Sequence, residues 1–197
     1  MFSLWRPTDR AIDRFLRQSQ HLPLSYSAVG TASERVRGYT YDESTTIIGH
    51  GRADYERART ALRSWRQFDI GWAEVFPRNA APEVGTVVAV LIRHFGFWSV
   101  NGCRVLYHVG ADSGTQYEFA YGTLTNHAES GEELFGVDLD PESGNVRYRI
   151  RAASRPNALV ARVAFPIARL LQARFRRCSA AAMAHACADL KNLSPLR

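Results

Sequence analysis

A chain of 197 residues with 46% hydrophobic and 22% charged residues can bury one core, and its even composition excludes a disordered or low-complexity protein. The net charge of +6 does not mark a nucleic-acid binder, because Lys191 is the only lysine and the arginines are dispersed rather than massed in a run. The longest apolar run, 87–92, is far short of the ~20 residues that span a bilayer. Three cysteines without a C-x-x-C pair, and a start without a signal-like apolar region, point to a reducing, cytoplasmic setting.

Thr8, after Pro7, caps the first expected helix, which places Ile12, Phe15 and Leu16 on one face. The stretch that follows is rich in turn-forming and small residues, so 1–37 reads as a helix and a wrapping segment. Residues 45–49 are β-branched and read as a short strand. From 52 to 68 the period changes: Tyr55, Ala58, Leu62 and Trp65 recur at three and four, the spacing of an amphipathic helix.

The period then drops to two. Strands are expected near 70–76, 85–93, 103–109, 116–124, 133–139 and 146–152, and their short connections predict an antiparallel meander. Pro156 opens a long helix to about 191, with Pro166 as a kink and Val160, Val163, Ile167, Leu170, Leu171, Phe175, Cys178 and Ala182 as its apolar stripe. Arg162, Arg169 and Arg176 recur at seven and read as a solvated face.

This order predicts an α+β fold of the helix-grip, or START-like, kind: a curling sheet crossed on its concave side by the last helix, with a cavity between them. The folded unit is expected over 38–192, with 193–197 as a tail. Connections of a meander alternate between its two ends, so 94–102, 124–131 and 153–157 gather at one end, the expected mouth. Alternation puts Tyr117, Phe119, Tyr121 and Thr123 on one face and Glu118, Ala120 and Gly122 on the other. Phe135 and Val137 join the inner face, and Arg147, Arg149 and Arg151 the solvent side. For 103–108 either parity is open.

With the meander in place, FAYGTL at 119–124, followed by His127 and then Gly131-Glu132-Glu133, resembles the hallmark of a family of bacterial and plant proteins catalogued only as a domain of unknown function. GYTYDE at 38–43, ERARTALRSWRQFDIGW at 56–72, VAVLIRHFGFWSVNGCRVLY at 88–107 and IRAASRP at 150–156 agree with it in order. The resemblance covers about 38–185 and departs where Thr125-Asn126 replaces Pro-Gly. It implies a helix-grip fold related to polyketide cyclases and lipid-transfer proteins, and no established activity.

Two roles are open for the loop residues. His127 and Glu132 with Tyr121, joined by Glu129 and by His94 or Asp42, form an expected acid/base set for a cyclisation, aldol or dehydration step. Alternatively His127 and Glu132 hydrogen-bond backbone groups and close a hairpin. Tyr39, Tyr41, His94, Trp98, Asn101, Arg104, Tyr107, Phe119 and Arg155 are the expected ligand contacts. No metal is expected: H-A-E at 127–129 lacks a downstream P-C-x-x-C, and no H-x-x-x-H or H-E-x-x-H occurs. No cofactor is expected either, since G-H-G-R-A-D at 49–54 lacks the third glycine of a dinucleotide fingerprint and an alternating βαβ context.

The expected function is binding of a small hydrophobic or amphipathic molecule under the last helix, without nucleic acid or stable membrane insertion. Arginines at the mouth would receive an anionic head group. A cofactor-free cyclase or dehydratase is the alternative, and a basic-helix interaction module a third reading.

Overall fold

A computed structural model describes the backbone of residues 1–110, 114–127, 129–156 and 159–189, with side chains described outside 156–168 and 189. The elements in chain order are β1 (Phe2–Ser3), α1 (Asp9–Ser19), β2 (Thr40–His50), α2 (Gly51–Arg63), a 3-10 turn (Arg66–Phe68), β3 (Ala73–Phe76), β4 (Val87–His94), β5 (Phe97–Val109), β6 (Gln116–Thr123), β7 (Glu129–Leu139), β8 (Asn145–Pro156) and α3 (Leu159–Asp189). The strands form one antiparallel sheet in the order β2-β8-β7-β6-β5-β4-β3, and β1 pairs with the start of β5. The sheet curls as a half-barrel around α3, which is the helix-grip α+β architecture.

Strand β2 is longer than its β-branched run because Thr40 to His50 pair along the length of β8. The HFGFWSVNG stretch is a hairpin rather than a loop. Phe95 (φ 49°) and Gly96 (φ 82°) make a two-residue turn with both residues in the left-handed region, and β5 begins at once at Phe97. The signal is hidden because such a turn ordinarily carries Asn-Gly.

A β-bulge decides the parity left open at 103–108. Val105 pairs with Tyr121 but Tyr107 pairs with Ala120, so Leu106 is the extra residue. Cys103, Val105 and then His108 face inward, where His108 meets the Tyr117 ring at 5.8 Å, while Tyr107 faces out.

The main core lies between the concave face and the helices. Tyr55 and Leu62 of α2, Phe68, Phe119 and Phe135, and Met183 of α3 are its large members, each worth ~1.5–3 kcal/mol of apolar burial. The buried stripe of α3 runs through Ser179, Met183, Ala186 and Cys187, whereas Leu170, expected in the stripe, is exposed. The expected kink at Pro166 and the residues Val160, Arg162, Val163 and Ile167 lie outside the described side chains, and the 193–197 tail lies outside the described residues.

The convex face is covered too. α1 lays Ile12, Phe15 and Leu16 on Ala89, Leu91 and Val100, and residues 20–37 continue across β5, β6 and β7. The arginine row is not simply solvated: Arg149 pairs with Glu118 (3.2 Å) and Asp138 (2.9 Å), Arg147 with Asp138 (2.6 Å) and Arg151 with Glu43 (2.9 Å). Neighbouring strands carry acids at the matching outward positions, so the row becomes a cross-strand ladder.

Candidate functional site

Register brings one row of side chains together on the concave face. Asp42 pairs with Ala152, Ala152 with Glu133, Glu133 with Tyr121 and Tyr121 with Val105, and directly paired residues share a face. The Tyr121 hydroxyl donates to Glu133 Oε2 at 2.6 Å. Burial pushes the Glu133 carboxyl up to about 7, the Tyr121 hydrogen bond opposes this, and the Glu129 charge adds to it. Burial also drives the Tyr121 hydroxyl far up, so Tyr121 stays a neutral donor.

Helix α3 closes over this row with polar groups of its own. Arg169 engages both oxygens of Asp42, and Arg176 reaches Asp42 Oδ1 at 3.2 Å. Gln172 donates to Glu129 Oε2 at 3.0 Å and to Ser154 Oγ at 3.4 Å. Burial raises the Glu129 carboxyl, while Gln172 and then Arg169 pull it back. Arg169 and Arg176 are thus committed to Asp42, which corrects the solvated-face reading for these two. Glu133 and Glu129 each accept a neutral donor. Asp42, Glu129, Glu133 and Gln172 all keep partial accessibility.

Under the later turns of α3 the space is filled. Trp65 meets Phe119 at 4.9 Å, and Phe68 meets Phe175 at 5.2 Å and Phe135 at 5.8 Å. Farther along the concave face, His94 Nε2 lies 3.3 Å from Ser99 Oγ, and Asn101 Nδ2 donates to Ser99 Oγ at 3.1 Å. Burial lowers the His94 pKa, which favours its uncharged ring. A cleft of about 470 Å³ lies elsewhere, lined by Arg59, Arg63 and Arg78, whose guanidiniums are engaged by Glu56, Glu83 and Glu74. Among the described residues no cluster of ligating side chains is able to hold a metal.

The expected catalytic trio is not one constellation. Glu132 pairs with Gly122, in the row Tyr41–Ala153–Glu132–Gly122–Arg104, which is convex. There its carboxylate accepts from Tyr26 Oη (2.8 Å), Gly30 N (2.8 Å), Ala32 N (3.1 Å) and Tyr107 Oη (3.3 Å). It is the anchor for the 20–37 segment. Gly122 makes room for that anchor, since a Cβ there would sit 2.2 Å from Tyr26 Oη. His127 is in the β6–β7 connection, where its Nδ1 accepts from Glu129 N at 2.9 Å. Burial drives its pKa down to about 4, so the ring is neutral at pH 7.

The expected ligand contacts divide the same way. His94 and Asn101 are concave and Phe119 is fully buried core. Trp98 packs in the α1 cluster, Arg104 donates to Gln20 O and Leu22 O, and Tyr107 holds Glu132. Tyr41 is tied to Glu34 and Val36, and Arg155 stands 5.1 Å over the Tyr39 ring. Glu133, Gln172, Arg169 and Arg176 were missed as site residues. For Glu133 the signal was present: counting back by two from the inward Phe135 reaches 133, not 132.

Known proteins resemble this chain in sequence and in fold. The family described as "Domain of unknown function (DUF1990)" matches residues 25–182. A UPF0548 protein of Deinococcus radiodurans is 32% identical over 192 residues, covering 90% of this chain and 94% of its own length. One from Dictyostelium discoideum is 26% identical over 195 residues, covering 89% and 90%. Among solved structures, a norcoclaurine synthase point mutant of Thalictrum flavum, in complex with a transition state analogue, has a TM-score of 0.54 at 10% identity. The likeness covers 80% of this chain and 99% of that one. The Zhui aromatase/cyclase of Streptomyces sp. R1128 has a TM-score of 0.53 at 12% identity, covering 76% and 93%. At these identities the likeness is one of fold.

Proposed function

The chain belongs to the DUF1990 family, and we propose that it binds a small amphipathic molecule between α3 and the concave face, with the polar end of that molecule at Glu133 and Tyr121. One observation carries this. Glu133 is withdrawn from water far enough to titrate near 7, yet it keeps accessible surface, as do Glu129 and Gln172 around it. A carboxyl that is desolvated yet keeps accessible surface is placed to meet the polar end of a ligand. Phe175, only partly buried, supplies an apolar edge, and His94, Ser99 and Asn101 supply hydrogen-bonding groups on the same face.

Titration with the neutral fluorophore phenylnaphthylamine tests the reading, alongside native mass spectrometry of the purified protein. Saturable one-site enhancement is expected, with affinity changed several-fold in Glu133→Gln. Unsaturable binding, or identical affinity in the variant, removes the proposal.

A second reading is favoured by the Glu133–Tyr121 pair: cofactor-free proton transfer of the cyclase or dehydratase kind. A carboxyl titrating near 7 accepts and returns protons at neutral pH. Its carboxylate would take the proton from a carbon beside a carbonyl, leaving an enolate, and return a proton to it. In this proposal Tyr121 keeps its expected place, Glu133 stands where Glu132 was expected, and His127 shapes the loop. Deuterium exchange into a panel of aryl ketones in heavy water tests it. Exchange should rise with pH about an inflection near 7 and vanish in Glu133→Gln; no exchange above buffer excludes this step.

A further inference from the structure

The concave site leaves one conspicuous surface unexplained. Four large apolar side chains are exposed on β1, the bend that follows it and the β4–β5 turn: Phe2 at 65%, Leu4 at 75%, Trp5 at 81% and Phe95 at 71%. Single exposed apolar residues are normal, but a contiguous aromatic patch is not. Contiguity follows from register and ring contacts. Phe2 pairs with Ser99 and Ser3 with Trp98, antiparallel, which sets β1 beside the start of β5, and the chain bends at Leu4 and Trp5 directly after it. The Phe2 and Phe97 rings are 5.9 Å apart, Phe97 and His94 4.3 Å, and His94 and Phe95 5.9 Å.

Phe95 is the informative residue. It occupies a left-handed backbone position (φ 49°) that a side chain with a Cβ enters at a cost, and where Asn or Gly is at ease. Its ring recovers almost no burial in return. Within the isolated chain this residue is a net loss, which points to a use outside the chain.

The surroundings of the patch are basic. Arg93 is exposed two residues before Phe95, and Arg10, Arg14 and Arg17 line the exposed side of α1, which packs on β4 and β5. These four make no ion pair to a described residue. Asp9 is held by Arg6, and Asp13 is the remaining acid of that helix.

We propose that this tip, formed by Phe2, Leu4, Trp5 and Phe95 with Arg93 and the arginines of α1 beside it, docks the protein on bilayers containing anionic lipid. Trp, Phe and Leu settle at the level of the head groups, and arginines at their rim meet the negative surface. A protruding tip fits an interface it can enter. A second copy would need a self-complementary face instead. Among the described residues no helix is long and apolar enough to cross a membrane, so attachment is peripheral.

The tip lies at the same end of the sheet as the β6–β7 connection, and the Met1 ammonium is near enough to His127 to oppose its protonation. That is the end where Glu129 and Gln172 meet. If the ligand reading above holds, docking presents its entrance to the bilayer; docking itself does not depend on that reading.

The test is co-sedimentation of the full chain with vesicles of phosphatidylcholine alone, or mixed with phosphatidylglycerol, at low and high salt. Binding to the mixed vesicles should be at least about tenfold tighter than to phosphatidylcholine alone and should weaken with salt. Trp5→Ala with Phe95→Asn should lose about tenfold or more, while Phe95→Asn alone melts at the same or a higher temperature. Equal binding by the double variant, or indifference to lipid charge, overturns the proposal. So does a dimer in light scattering that the double variant abolishes, since the patch would then serve a second copy. The double variant should still bind phenylnaphthylamine in solution. Vesicle binding without fluorophore binding would leave docking intact and remove the ligand reading alone.

Discussion

Glu132 and Glu133 are consecutive on β7, and the sheet separates them into two environments. On the convex side Glu132 accepts from two hydroxyls and two backbone N–H groups, and with them holds residues 26–32 against the sheet. On the concave side Glu133 has, among the described residues, the one donor Tyr121, and burial raises it to about 7. The chemistry of a carboxylate is therefore set by how many donors replace the water it loses. The saturated one anchors the 26–32 segment, and the under-solvated one is the group on which the proposed function rests.

The comparison breaks hardest at Glu132. Glu132→Ala removes the acceptor shared by four donors, two of them, Tyr26 Oη and Ala32 N, in buried bonds, and a loss of ~3–5 kcal/mol is expected, a fall in Tm on the order of 10 °C. Limited proteolysis should then cut first within 20–37. If Glu133→Ala costs as much, the contrast between the two faces is wrong.

The next effect is one of pH. The Glu133 carboxyl is raised in the folded chain from 4.5 to about 7, so the folded state binds the extra proton. Stability from this group is full below pH 4.5 and declines as pH rises to 7, by up to ~3 kcal/mol, less to the extent that water reaches the carboxyl. His127 runs the other way. Its pKa falls from 6.5 to about 4, so stability is full above pH 6.5 and is lost as pH falls through 4. In the wild type the two slopes oppose each other between 4.5 and 6.5. Urea melts across this range should show stability rising with pH in Glu133→Gln and falling with pH in His127→Gln.

Gly122→Ala sharpens the convex half of the comparison. Its Cβ would meet Tyr26 Oη at 2.2 Å and Leu106 Cδ1 at 2.8 Å, and a cost of ~1–3 kcal/mol in thermal melts is expected. The smallest effect belongs to Tyr121→Phe, which removes one hydrogen bond for about 1 kcal/mol. The Glu133 carboxyl should then titrate still higher, read by carboxyl-carbon NMR, because the bond that favours its charged form is gone.

The architecture was legible because it rests on local periodicity. Tyr55, Ala58 and Leu62 announce a helix, and Tyr117, Phe119 and Tyr121 a strand with one apolar face, before any partner is known. The fold of the sheet and its last helix followed. Less legible was whatever departed from strict alternation. The extra residue Leu106 turns Tyr107 outward after Val105 faces in, and Phe95-Gly96 closes a hairpin without the usual turn residues. Loop-end reasoning then placed Trp98 and Asn101 at a mouth, where β5 puts them on opposite faces.

Sequence alone determined the order of elements, the inward aromatic face of β6 and the amphipathic character of α1 and α2, since each depends on residues a few positions apart. Tertiary structure alone decided what the charged groups do. Asp42 meets Arg169 and Arg176, 127 and 134 residues away, Glu132 meets a segment 100 residues earlier, and Glu133 meets Tyr121 on the neighbouring strand. A side chain's donors and its distance from water come from chain segments remote in sequence, and those quantities separate an anchor from a site.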